Sequence, residues 1–522
     1  RRQRQMCIRD RGRTVCASGL STINKSNIIY ALCRLKGVTA FCLASDEKEA
    51  QTLCNDLSCM GLRAYVYPVR DFNFLDFQSR SHEYEHARLK VLLKLLNHEC
   101  DVAIACVDAA AQLTVPRNVL EQSVIEFEEG KELSLEKATK ALTLLGYERF
   151  DAVEGSGQFS LRGGILDFFM PDSDYPVRCE FWGDEITDLS YFDIETQRRF
   201  KKADKITLSP STEIVIEDRA ALADKIEHKA KLLRSKNSAK AKEKLFSEAE
   251  LIRSGAMIAN ADKFINQIYD KPESLFDYLD RNTLVFASEF TAIQERGKSM
   301  DFISNETLMQ GFEDGTLCRG FDRFALTFNE CTEFLQSHGT IVLENFVHGS
   351  MPIKLSEIIS FSTKQISAWG GSYKQLKEDV DGLFTPESKG VIFAGTERAA
   401  KNLCDTFNAD GINAVYSEGA DKISKGELLV MQGALSAGFE YPSQKFFAIT
   451  YSQVSYRPEK SKKKKKKTGQ EIYSLSELAP GDYVVHNVHG IGVFGGIRKI
   501  DTHGVIKDLS LIHISEPTRR RG

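Results

Sequence analysis

Along the first hundred positions the apolar residues come in short runs separated by amphipathic stretches. TAFCLAS (Thr39 to Ser45), RAYVYP (Arg63 to Pro68) and DVAIACV (Asp101 to Val107) are β-type runs, and EKEAQTLCNDL between the first two has helical spacing. Apolar runs this short, alternating with helices, mark βαβ units around a parallel sheet whose strands are buried on both faces. From about Val119 to Ser211 the rhythm changes: a helical SLEKATKALTLLG precedes aromatic strands, GQFSLRGGILDFFMP and YPVRCEFWGDEITDLSYF. This predicts an α+β domain inserted between two parts of the α/β unit. Period-two alternation puts Val177, Cys179 and Phe181 on one face of a strand and Arg178, Glu180 and Trp182 on the other.

A lysine-rich helical stretch, LADKIEHKAKLLRSKNSAKAKEKLFSEAELI, leads back to a β-type run, TLVFASE (Thr283 to Glu289). A second α/β rhythm runs from about Ile358 to Val454 through GVIFAGT, ERAAKNLCDTFNADG, ELLVMQG and FFAITYS. The like-charge run in SYRPEKSKKKKKKTGQEI repels itself and reads as a solvated linker. A small β-rich piece, GDYVVHNVHGIGVFGGIRKI, follows from Gly481. The expected organisation is an α/β part over 12–118, an α+β insert over 119–211, a second α/β part over 212–350, a further α/β domain over 351–455, the linker over 456–476 and a small β domain over 477–508.

The two ends fall outside this pattern. RRQRQMCIRD at the start and LSLIHISEPTR from Leu509 to Arg519 resemble translated sequencing adapters, so residues 1–11 and 509–522 are expected to be foreign to the fold and both ends of the native segment to be cuts. The formal net charge of −4 includes five arginines and one aspartate in 1–11 and three arginines and one glutamate in 509–522, which leaves about −10 for the rest. Without the six lysines Lys462 to Lys467 it is about −16, a poor body for tracking DNA phosphates. With 42% hydrophobic and 27% charged residues the chain has ordinary globular composition. It shows no apolar run of membrane-spanning length and no secretory leader. The twelve cysteines are scattered with no CxxC pair, which points to reduced thiols in the cytoplasm rather than zinc or disulfides, and His486 and His489 lack companions for a metal site.

Two motifs carry candidate chemistry. GLSTINKS, with Gly19, Lys25 and Ser26, has the cadence of a phosphate loop, but Asn24 stands where the second glycine belongs. Asn tolerates positive φ better than most residues, so a weak nucleotide pocket and a vestigial loop are both open. TLVFASE ends in Ser288 and Glu289 without the acidic pair that would hold Mg²⁺, and ELLVMQGALSAGFEYP lacks an arginine for transition-state charge. No complete hydrolysis site can be assembled, and no catalytic residue is assigned. The second motif is the aromatic strand pair. Arg178 and Trp182 on one face have the composition of a protein-binding hot spot, and Arg162, before Gly163-Gly164, joins them if the strands pair. The competing reading is a Trp182 packed under a helix and arginines in surface ion pairs.

From Gly146 to Arg199 the sequence, with RGG-I-D-F, P-x-R-x-E-F and FD-x-x-T-Q-R runs, resembles the domain that bacterial transcription-repair coupling factors share with the excision-nuclease subunit UvrB. The resemblance implies docking on the ATPase UvrA through Arg162, Arg178 and Trp182. LAPGDYVVHNVHGIGVFGGI resembles the opening strands of the Tudor-like, CarD-type domain that grips the RNA polymerase β subunit, with Tyr483, Val485, His486, His489, Gly490 and Gly492 in its turns and strands. The family's polymerase-contacting strand would follow Asp508. The resemblance further implies a degenerate, RecA-like and UvrB-like first α/β domain, an inert α/β domain after it, and a truncated small barrel. This chain is expected to need no cofactor. The whole family protein uses ATP and Mg²⁺ in motor domains, absent here, that run on double-stranded DNA and displace stalled polymerase. The alternative is a UvrB-like helicase ATPase with a divergent but working loop at Gly19 to Ser26.

Overall fold

The computed structural model describes residues 14–70, 82–233, 238–255, 261–346, 351, 353–366, 373–419, 423–451, 483–486, 490–502 and 505–514. Residues up to Tyr456 form one compact unit and those from Arg457 a second. The reading of 1–11 and that of the linker fall outside the described residues.

In chain order the first unit opens with β1 (Thr14–Ser18), α1 (Thr22–Lys36), β2 (Ala40–Ala44), α2 (Glu47–Cys59), β3 (Ala64–Val66), α3 (Glu83–Leu96), β4 (Val102–Cys106) and a short β5 (Leu113–Thr114). The insert holds β6 (Ile125–Glu128), α4 (Leu135–Leu144), β7 (Glu148–Arg149), β8 (Gln158–Arg162), β9 (Ile165–Phe168), β10 (Val177–Trp182), β11 (Glu185–Phe192), β12 (Arg199–Lys202) and β13 (Lys205–Leu208). The chain returns through the hairpin of α5 (Arg219–Leu232) and α6 (Ser238–Arg253), then β14 (Glu273–Ser274), β15 (Leu284–Ser288), α7 (Phe290–Asp314), α8 (Phe328–Ser337), β16 (Ile341–Leu343) and β17 (Leu355–Ser360). A second α/β lobe follows: β18 (Lys364–Ile366), α9 (Tyr373–Leu383), β19 (Lys389–Phe393), α10 (Glu397–Ala409), β20 (Ala414–Tyr416), β21 (Glu427–Met431), β22 (Gly438–Tyr441) and β23 (Phe446–Thr450).

The first sheet is parallel, in the order β17-β1-β16-β15-β2-β4-β3. β1, β2 and β4 are buried at every residue because helices cover both faces, which is why their sequences read as unbroken apolar runs. Local signals set the helix ends. Asp46 caps α2 by accepting from Glu49 N, Gly37 ends α1 in the left-handed region at φ 63°, and Thr327 and Glu330 form a capping box on α8. One boundary differs from the sequence reading: β17 pairs with β1, so 355–360 complete the first sheet instead of belonging to the domain expected from 351. The second sheet begins only at β18 and runs β18-β22-β23-β19-β21-β20.

The insert is an antiparallel sheet in the order β12-β11-β10-β9-β8-β7, apart from a parallel β7–β8 pair, with a separate β13-β6 ribbon. Val177, Cys179 and Phe181 face a core completed by Phe127, Ala138, Leu142 and Phe168, as the alternation predicted. In the second unit β24 (Tyr483–His486), β25 (Gly490–Thr502) and β26 (Val505–Ile514) form an antiparallel sheet. Tyr483 pairs with Val493, Val485 with Ile491, His486 with Gly490, and Gly492 lies between Val484 and Ile514; His489 lies outside the described residues. β26 runs on across the expected boundary at Asp508.

Candidate functional site

The outer face of the insert sheet gathers the residues singled out in the sequence. β8, β9 and β10 are neighbours, so Arg162 and Arg178 straddle β9 rather than sitting side by side. Gly163, at φ 62°, makes the β8–β9 turn, and a Cβ on Gly164 would lie 2.7 Å from the Phe181 carbonyl. Only glycine lets the tip of that hairpin approach the residue before Trp182 so closely. The indole itself is 81% exposed, which removes the reading in which it packs under a helix.

The two arginines converge on one carboxylate that the sequence reading passed over. Asp167 on β9, 1% exposed, accepts from Arg178 Nε at 2.7 Å and Nη2 at 2.8 Å and from Arg162 Nη2 at 3.0 Å. Its signal was its place in the ladder, directly opposite Arg178. Arg178 also lies over the Phe192 ring, 4.3 Å from its centroid. Hydrogen bonding to Asp167 raises the Arg178 pKa further above its already high value. Along the same face Arg199 pairs with Glu180 and, at 2.9 Å, with Asp188. The arginines therefore make the ion pairs of the competing reading, with Arg162, Arg178 and Arg199 set against Asp167, Glu180 and Asp188, while Trp182 stands exposed further along β10.

The phosphate-loop motif has a different fate. Gly19, at φ 79°, donates its amide to Asn345 O and Leu20 donates to Glu344 O, both at 3.1 Å. A Cβ on Gly19 would lie 2.3 Å from the Phe361 carbonyl, so the strand end after β17 closes over the turn. Lys25 is 2% exposed and donates to Glu289 at 2.6 Å, Ser288 at 3.0 Å and Glu49 at 3.3 Å. Burial pushes the Glu49 carboxyl up, but Lys25 and hydrogen bonds from Ser288 and Ser45 outweigh it and hold its pKa below the ordinary value. Ser26 donates to Asp56, and Asn24 lies buried inside α1 with its Oδ1 accepting from Ser21. The tolerance of Asn for positive φ is not called on here: Asn24 sits in the first helical turn, and Gly19 alone supplies positive φ in this loop. The Lys25 ammonium and the Ser26 hydroxyl, the two side-chain groups a nucleotide would need, are thus held by protein partners, and the Phe361 carbonyl closes on the turn at Gly19.

Fold and face together define a multidomain α/β protein with a UvrB-type interaction domain: residues 125–214 match the UvrB interaction domain model and residues 478–519 the CarD-like/TRCF RID domain model. Along nearly its whole length the chain is similar to transcription-repair-coupling factors. It is 28% identical to that of Bacillus subtilis (strain 168) over 511 residues, covering 95% of this chain and 43% of the relative. It is 25% identical to that of Staphylococcus haemolyticus (strain JCSC1435) over 462 residues, covering 85% and 38%. The chain thus spans less than half the length of these relatives.

Proposed function

We propose that this chain is the adaptor portion of a transcription-repair-coupling factor, a non-catalytic module that recruits UvrA to a stalled RNA polymerase. The observation that carries the reading is the exposed indole of Trp182 on the same sheet face as two guanidinium groups gathered on Asp167. An exposed aromatic next to preorganised arginines is the composition of a binding hot spot. The first α/β domain is a RecA-like, UvrB-like unit that has given up nucleotide, and its filled loop supports that reading over a working helicase ATPase. The small sheet of β24, β25 and β26 belongs to a Tudor-like domain for the RNA polymerase β subunit, with Tyr483, Val485, His486, Gly490 and Gly492 in its opening strands. ATP, Mg²⁺ and double-stranded DNA are ligands of motor domains elsewhere in the whole protein.

Hydrogen exchange of the chain with and without purified UvrA tests the assignment. Slowed exchange confined to β8, β9, β10 and the 193–199 turn is expected; protection elsewhere, with these strands unchanged, contradicts it.

A further inference from the structure

Arg162 and Arg178 differ in what their guanidinium groups have left to give. Arg178 is 13% exposed. Its Nε and Nη2 donate to Asp167, Nη1 donates to Gln197 O at 3.2 Å and Nη2 to Gln197 Oε1 at 3.0 Å. A guanidinium carries five N–H groups, so these bonds take four of them. Arg162 is 52% exposed and uses one, Nη2 to Asp167.

The second half of the Arg178 clamp is a shaped turn. Gln197 is one of four non-glycine residues with positive φ among the described residues, at 56°. That conformation is unfavourable for an L-residue and persists only where the surroundings hold it. Here Gln197 N donates to Asp193 O at 2.7 Å, and Thr196 N and Oγ1 both donate to Asp193 Oδ1 at 2.9 Å. The side-chain amide has a defined orientation, because Nε2 donates to Ile194 O at 2.8 Å and leaves Oε1 for Arg178. Both acceptors of a strained residue are thus aimed at one guanidinium.

We infer that Gln197 is a positioning residue: with Asp167 it locks Arg178 in place as an internal counter-ion, so contact with an acidic group on the partner falls to Arg162 and the neighbouring indole of Trp182. This rests on the UvrA-docking reading and divides the labour within it. Of the two cations that share Asp167, Arg162 is the one that is exposed and has donors to spare. The partner feature that fits is a carboxylate beside an apolar slot for an indole.

The test uses the full chain, purified UvrA as probe, and two readouts: the dissociation constant with its salt dependence, and the Arg178 Nε–H NMR signal of the chain alone. Arg162→Ala should lose about tenfold or more in affinity, flatten the salt dependence and leave the melting temperature unchanged. Arg178→Gln should also weaken binding, because it strands the buried Asp167, and adding Asp167→Asn should restore affinity to within about threefold of the parent. Gln197→Gly keeps the backbone conformation and should mobilise the Nε–H signal while weakening binding about threefold. A double variant that binds no better than Arg178→Gln would make Arg178 a direct contact and overturn the assignment. So would a Gln197→Gly signal identical to the parent's. If the parent chain fails to bind UvrA the docking reading falls, and the Nε–H signal then decides the clamp alone.

Discussion

At Lys25 an ammonium group with three N–H donors meets three acceptors, Glu289, Ser288 and Glu49, and nothing is left for a phosphate. Removing one side of a buried ion pair leaves the other charge stranded, at a cost of about 3–5 kcal/mol. Lys25→Ala is therefore expected to lower the unfolding free energy by that order in a denaturant titration, while ATP turnover stays at background for both parent and variant. A turnover rate that depends on Lys25 would restore the helicase reading. Trp182 is the opposite case: being 81% exposed, it should cost little stability when replaced by Ala yet weaken UvrA binding by about 2 kcal/mol, read by calorimetry. Trp182 and Arg178 were legible in the sequence because strand alternation assigns faces without tertiary knowledge. Asp167 and Gln197 were not, since one is recognised only through strand register and the other through a left-handed turn that no local pattern marks.

At the scale of elements, the α/β rhythm was readable because buried parallel strands are continuous apolar runs, whereas β17 was misplaced because LSEIIS is an exposed edge strand whose partner, β1, is distant in sequence. The loop residues have become a seam between α1, α2 and the second lobe. Ile23 packs with Val391, Phe393 and Phe439, and Asp56 on α2 accepts from Ser26 Oγ at 3.3 Å and from Ser436 N and Oγ at 2.7 Å. Burial pushes the Asp56 carboxyl up to about 6 despite those bonds. A carboxyl raised in the folded state gives its full stabilisation below its unfolded value near 4 and loses it as pH rises through about 6. The seam should then be weaker at pH 7.5 than at pH 4.5, by about 2 kcal/mol if Asp56 acted alone. Asp56→Asn keeps one acceptor for Ser436 N, turns the other oxygen into an amide that can donate to the two hydroxyls, removes the charge and should raise the melting temperature at pH 7.5 but not at pH 4.5. Equal shifts at both pH values would show that the carboxylate is not the cause. Glu344, raised to about 7 by burial and then by Glu289, acts in the same direction.

For the whole molecule, chain order carried most of the information: an α/β unit interrupted by an aromatic α+β insert, a second α/β lobe, a lysine run and a small β sheet. The net charge of −4 and the engaged Lys25 of the phosphate-loop motif are in keeping with the adaptor role proposed above. The most direct measurement is calorimetric titration of purified UvrA into the parent chain and into an Arg162→Ala/Trp182→Ala variant with the same melting temperature. Saturable binding to the parent and a loss of at least about a hundredfold in the variant is the predicted result; equal affinities for the two, or no binding by the parent, would contradict the account.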